Sequence, residues 1–207
     1  MKKIIIVFFL LFTILSFSQE KLNYQINIYT NGGISKSKLN IDILRETDSV
    51  KIYYKKLIGR DTIALNRDNE TILKLCRKII KIEDNDIYRL KLKELGVLID
   101  KYDIYKKDSL FFEISKKIPF TSLIDSVYSA NQDILENKTQ NKYRIVLDGT
   151  YYSINVIAKD VKIKSFWVHS PTIKSHPLIT KLIRNSFYIY IESNPNSFLE
   201  KKHLITY

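Results

Sequence analysis

The chain has 207 residues, 45% hydrophobic and 12% aromatic, with 34 Lys and Arg against 22 Asp and Glu for a formal charge of +12. This composition belongs to a chain that folds and excludes intrinsic disorder. One Cys excludes an internal disulfide, and five Gly leave little room for a glycine-rich phosphate cradle.

At the N-terminus, Lys2 and Lys3 precede a run from Ile4 to Leu15 in which only Thr13 is not apolar. About twelve apolar residues suit the core of a signal peptide and fall short of the roughly twenty needed to cross a bilayer. Ser16 and Ser18 supply the small residues that signal peptidase reads, so residues 1–18 are predicted to be a signal peptide cleaved after Ser18. No Cys follows the run, since the one Cys is Cys76, so the chain lacks the acylation site of a lipoprotein. No later stretch reaches membrane-spanning length. The expectation is export to the periplasm or beyond, with residues 19–207 forming a single soluble α+β domain.

Strand patterns open that region. Tyr24, Ile26 and Ile28 alternate with polar neighbours up to the turn residues Asn31-Gly32-Gly33. Leu39, Ile41 and Ile43, and then Val50, Ile52 and Tyr54, repeat the alternation, and Thr62–Leu65 reads as a fourth strand. Helical spacing follows: Ile72, Leu75, Cys76, Ile79 and Ile80 after a cap at Asp68 or Asn69, with Cys76 expected in the core. A second helix is predicted over 86–102, with Gly96 inside it. Residues 105–117 suit a strand or a helix equally. Phe120 to Leu135 reads as one helix capped by Thr121 or Ser122. Tyr143, Ile145 and Leu147 form a further strand pattern before Asp148-Gly149. Residues 152–158 and 161–169 alternate about a turn at Lys159-Asp160. Ser175 with Pro177 starts a helix through about Tyr190. The fold class is therefore α+β, antiparallel sheet backed by helices. Both ends spell strand–strand–strand–helix around a helical middle, which admits an internal duplication.

The candidate chemistry is sparse. The three histidines are His169, His176 and His203, and no Gly-x-Ser-x-Gly elbow or paired Cys accompanies them. Glu83, Asp84 and Asp86 lack the Gly and terminal Glu of a calcium loop and suit a helix start. No metal and no cofactor is predicted. If Phe166 and Val168 face the core, a bulge near Lys164–Ser165 must switch the strand's phase. Trp167 and His169 then turn outward, beside Tyr151 and Asn155 of the neighbouring strand. Such a face suits a sugar ring or a protein partner. Four triplets, at Ser49, Thr62, Ser109 and Ser126, place a hydroxyl between Asp and an aliphatic residue. They resemble the acceptor sites of general O-glycosylation in exported proteins of some Gram-negative bacteria.

The lysines are spread along the chain rather than clustered, which disfavours nucleic acid as the partner. An envelope protein or an anionic glycan fits the charge better. The leading expectation is a non-enzymatic envelope binding module. A periplasmic hydrolase using His169 or His176 as base, or an inhibitor or immunity-type protein against a secreted toxin, are the alternatives.

Overall fold

The computed structural model describes residues 23–32, 38–146 and 149–199. In chain order the elements are β1 (Tyr24–Gly32), β2 (Leu39–Arg45), β3 (Ser49–Arg60), α1 (Thr62–Arg67), α2 (Asn69–Ile79), α3 (Asn85–Asp100), β4 (Asp103–Glu113), a 3-10 turn (Ile114–Lys116), α4 (Ile118–Ser129), α5 (Gln132–Glu136), α6 (Lys138–Asn141), β5 (Thr150–Ala158), β6 (Val161–His169) and α7 (Pro177–Ser193). The fold is α+β, as the alternation predicts: one six-stranded antiparallel sheet in the order β4-β3-β2-β1-β5-β6, with helices. The chain divides into two compact units, Lys55–Lys107 and the residues on either side of that segment.

In the larger unit, period-two alternation turns one set of side chains inward from every strand. Ile26, Ile28, Ile41, Ile43, Ile52, Ile154 and Val156 are essentially inaccessible. α4 and α7 contribute Phe120, Ile124, Val127, Leu182, Ile183 and Phe187 to the same core. Buried aromatic hydroxyls find acceptors: Tyr54 donates to the Ser186 carbonyl at 2.7 Å, and Tyr190 to Asp108 at 2.6 Å. Tyr24 stacks on Tyr128 with centroids 4.0 Å apart and donates to Asp125 at 2.5 Å.

β1 lies between β2 and β5, with Ile28 opposite Ile41 on one side and Ile154 on the other. The β5–β6 hairpin turns on Lys159 and Asp160, both at positive φ (49° and 59°), the geometry of a tight two-residue loop. Its register slips so that Val156 faces Lys164 while Ile157 faces Lys162, leaving Ile163 as the extra residue of a bulge. The bulge thus falls one residue before the predicted Lys164–Ser165 position. It has the predicted consequence: Phe166 and Val168 are buried, and Trp167 is exposed. Lys164 is half-buried beside it and donates to the carbonyls of Val127 and Tyr128, closing the C-terminal end of α4.

Several expectations are corrected. Residues 62–65 are helical, because the Asp61 carboxylate accepts from the Ala64 amide at 2.9 Å and caps α1. The predicted 120–135 helix starts earlier, at Ile118 with Pro119 in its first turn, and breaks where Ala130 and Asn131 turn extended. Thr121 is therefore no cap; its hydroxyl donates back to the Lys117 carbonyl at 3.2 Å. Tyr143 and Ile145 are exposed and lie outside any strand; Leu147 and Asp148 fall outside the described residues. The C-terminal part is consequently strand–strand–helix, so the repeated unit of two equal halves is not present among the described residues. His176, not Ser175, is the residue preceding α7. Cys76 is half-buried rather than in the core.

In the smaller unit, the outer parts of β3 and β4 carry α1, α2 and α3 between them. Arg60 pairs with Asp103 at 2.6 Å, and the Asp61 amide donates to the Tyr102 carbonyl at 2.8 Å. The 105–117 ambiguity resolves as strand through Glu113. Asp84 caps α3 by accepting from the amides of Asp86 and Ile87 at 2.9 and 3.0 Å, the helix-start role expected of the acidic cluster. α2 buries Ile72 and Ile79, while α3 buries none of its residues.

Candidate functional site

The side chains that alternate away from the core form the outer face of the sheet. The pairing register orders them into rows across the strands. One row runs Trp167–Ser153–Tyr29–Asn40, and the next runs Ser165–Asn155–Asn27–Asp42. A third pairs His169 with Tyr151. All four residues singled out from the sequence therefore share one face: Trp167 is 69% exposed, Tyr151 is 44% exposed, and His169 and Asn155 are half-buried.

Each row has its own chemistry. The rings of Tyr151 and His169 stack, centroids 3.8 Å apart and 5° from parallel. That contact fixes both side chains, so Tyr151 presents a rigid ring at the end of the strand. The polar row is linked in pairs: the Ser165 hydroxyl donates to Asn155 Oδ1 at 2.8 Å, and the Asn27 amide donates to Asp42 at 2.6 Å. Burial, and then the Asp42 carboxylate, push the Tyr29 hydroxyl above its ordinary pKa, which keeps it a neutral donor.

Tyr53 on β3, 48% exposed, and Phe111 on β4, 59% exposed, extend the same outward set. With Tyr29 they are the residues that sequence reasoning passed over. A signal for them exists: each sits out of phase between buried neighbours, Tyr53 between Ile52 and Tyr54 and Phe111 beside Phe112. The outer face thus carries an aromatic ring on five of its six strands. Large exposed rings gathered on one face are of the kind that take part in binding.

The edge of this face is held by backbone geometry. Gly149 has φ +148°, and a Cβ there would lie 1.7 Å from the Ser170 hydroxyl oxygen. Ser170, itself at positive φ, donates its amide to the Thr150 carbonyl at 2.8 Å. Arg144 donates to the carbonyls of His169 and Ser170, each at 2.6 Å. Those bonds fix the backbone beneath the Tyr151–His169 stack.

The second candidate histidine has a different setting. His176 is buried, with Nδ1 3.0 Å from the Ser175 hydroxyl and Nε2 3.1 Å from the Asn141 amide nitrogen. Asn141 Nδ2 also reaches the carbonyls of Glu136 and Ser175, each at 3.1 Å. The Ser175 hydroxyl also accepts from the Thr172 amide at 2.9 Å and contacts Thr172 Oγ1 at 3.0 Å. Both ring nitrogens are thus engaged by side chains, one from α6 and one from the segment leading into α7. Burial, and then the Arg144 charge, lower the His176 pKa and hold the ring neutral. Asn137 and Asn141 both donate to the Ser175 carbonyl, so this cluster ties α6 to the start of α7. His203 lies outside the described residues.

The four Asp–hydroxyl–aliphatic triplets are dispersed over the surface. Thr62, Ser109 and Ser126 are exposed, and Ser49 is half-buried. Among the described residues, no group of three His, Cys, Asp or Glu side chains is arranged to hold a metal ion. Comparison with protein-family models, with curated proteins and with solved structures gave no match.

Proposed function

We propose that this protein is a non-enzymatic, exported binding module that holds an extended glycan against the outer face of its sheet. The observation that carries the reading is the aromatic set Trp167, Tyr151, Tyr29, Tyr53 and Phe111 on one open face, interleaved with amide and hydroxyl side chains. Trp167 and Tyr29 share a row two strands apart, about 9.5 Å at ordinary strand spacing. That interval suits rings stacking on alternate sugars of an extended chain. The polar row alongside, with Ser165, Asn155 and Asp42 reaching the surface, offers the donors and acceptors that sugar hydroxyls use, and such groups fix orientation on an apolar platform. Export rests on Lys2, Lys3, the apolar run and the small residues Ser16 and Ser18.

Trp167 is the chain's one tryptophan, so its fluorescence reports on the site directly. Titration with chitotetraose and with soluble peptidoglycan fragments is expected to shift its emission to shorter wavelength and shield it from iodide. Replacing Tyr29 with Ala should weaken that binding. An emission spectrum unmoved by both probes, together with a single protein captured by crosslinking and lost on Trp167→Ala, would replace the glycan with a protein partner.

A further inference from the structure

A cleft of about 690 Å³ lies between the end of α6, with the residues that follow it, and the loop joining β6 to α7. Its charged lining is Arg144 and Lys174, with no carboxylate, and Gln140, Asn141 and Tyr143 stand beside them. Arg144 is half-buried and donates to the carbonyls of His169 and Ser170, which leaves the rest of its N–H donors unused. Those acceptors are neutral, so the guanidinium charge stays uncompensated until an anion meets it. Lys174 is exposed and has no carboxylate partner among the described residues. Glu136, whose carbonyl meets Asn141, has its carboxylate paired with Lys138 at 2.7 Å.

The amides are oriented by their neighbours. The Ser175 carbonyl, 2.8 Å away, fixes Asn137 Nδ2 as a donor, and the same nitrogen donates to Gln140 Oε1 at 3.0 Å. Gln140 therefore meets Asn137 with its oxygen and keeps its N–H donors for the cleft. Asn141 donates through Nδ2 to the carbonyls of Glu136 and Ser175, which leaves Oδ1 as an acceptor. Tyr143 is 84% exposed, and Lys142 rests over its ring at 5.3 Å from the centroid, a further cation beside the lining. Cations and donors without a carboxylate select an anion, and an exposed ring with an amide acceptor selects a sugar to carry it. We propose that this cleft binds an acidic saccharide, with Arg144, Lys174 and the Gln140 amide on its carboxylate or phosphate, Asn141 Oδ1 on a sugar hydroxyl and Tyr143 against the sugar ring. None of these side chains belongs to the outer face of the sheet, so the two sites are tested separately.

The test is isothermal titration calorimetry of the full chain with matched saccharides. Trigalacturonate against galactotriose reads a carboxylate, and glucose phosphate against glucose reads a phosphate. The acidic member of one pair or both is expected to bind, its neutral partner about tenfold more weakly, and the affinity should fall as salt rises. K174Q removes one charge-assisted hydrogen bond and should weaken binding about tenfold. Q140E keeps the oxygen that Asn137 needs and sets a carboxylate in the cleft, so it should abolish binding. Both positions are exposed, and an unchanged far-UV circular dichroism spectrum checks that the fold survives. K81Q, the same loss of charge in the Lys55–Lys107 unit, and Trp167→Ala should both bind as the parent does. A shift of Trp167 emission by chitotetraose that persists in Q140E keeps the outer face standing whichever way these titrations fall. No binding of either acidic probe, equal affinity for the neutral saccharides, the same loss in K81Q as in K174Q, or loss in Trp167→Ala would each overturn the site.

Discussion

Asp125 joins three elements of the core, so its removal gives a sharp test of the packing. Its Oδ1 accepts from the Tyr24 hydroxyl at 2.5 Å and from Arg45 Nε at 3.2 Å. The Arg45 side chain is 8% exposed and that of Asp125 is 35% exposed. Deleting one partner of a fully buried ion pair costs about 3–5 kcal/mol, because the remaining charge is stranded. Two features lower the figure here. Asp125 keeps part of its surface in water, and Arg45 retains hydrogen bonds to the carbonyls of Glu46 and Thr47. Asp125→Ala is therefore expected to cost about 2–3 kcal/mol. Tyr24→Phe, which removes one donor to a charged acceptor, should cost about 1.5 kcal/mol. Both changes act on one carboxylate, so the double variant should cost less than the sum. Urea unfolding followed by far-UV circular dichroism measures all three. A loss below about 0.5 kcal/mol for Asp125→Ala, or strict additivity in the cycle, would refute the network.

Acid should loosen the His176 cluster. Its folded pKa is lowered, so its contribution is complete above the unfolded value of about 6.5 and is lost as pH falls below it. Urea midpoints should thus drop between pH 7 and pH 5.5 in the parent and less so in His176→Gln; parallel profiles would remove His176 as the cause. Gly149→Ala should cost about 2 kcal/mol or more from backbone strain at φ +148° and contact with Ser170, and a melting temperature equal to the parent's would contradict that geometry. Of the four hydroxyl triplets, Asp61-Thr62-Ile63 is exposed at all three residues, whereas Val50 and Val127 are buried in theirs. An O-glycosyltransferase acting on the folded chain should therefore modify Thr62, with the added mass lost in Thr62→Ala; a native mass equal to the bare polypeptide would end that prediction.

The strands were legible because alternation is a local signal. Ile26 and Ile28, Ile41 and Ile43, and Ile52 and Tyr54 announce their faces from a handful of neighbours. The phase change before Trp167 was also readable, since Phe166 and Val168 could be buried together only if a bulge intervened. The misses have local causes of another kind. Thr62–Leu65 has strand-like residues, yet one Asp61 side chain caps them into a helix. Tyr143 and Ile145 alternate as a strand should, but a strand needs a partner, and both sides of β5 are taken by β1 and β6. The outer face was only half visible for the same reason. Tyr29, Tyr53 and Phe111 belong to strands far apart in sequence, and only the folded sheet puts them on the same face as Trp167.

That order also separates what the sheet needs to fold from what it displays. The inward residues bury the core against α4 and α7, and nothing in that packing calls for large rings on the opposite side. Thr or Lys at those positions would satisfy the strands as well and would not expose apolar surface. Trp167 is the clearest case: it is 69% exposed and faces Ser153 across the hairpin, so little of its ring is sheltered by the fold. Surface substitutions of this sort change stability by about 0.5 kcal/mol or less. Trp167→Ala should accordingly unfold at the parent's urea midpoint while losing its ligand, whereas Phe166→Ala, one residue away and 2% exposed, should cost about 3–5 kcal/mol through the cavity it leaves. Equal destabilisation by the two would mean that Trp167 is shielded as Phe166 is, and the outer face would then be part of the core rather than a binding surface.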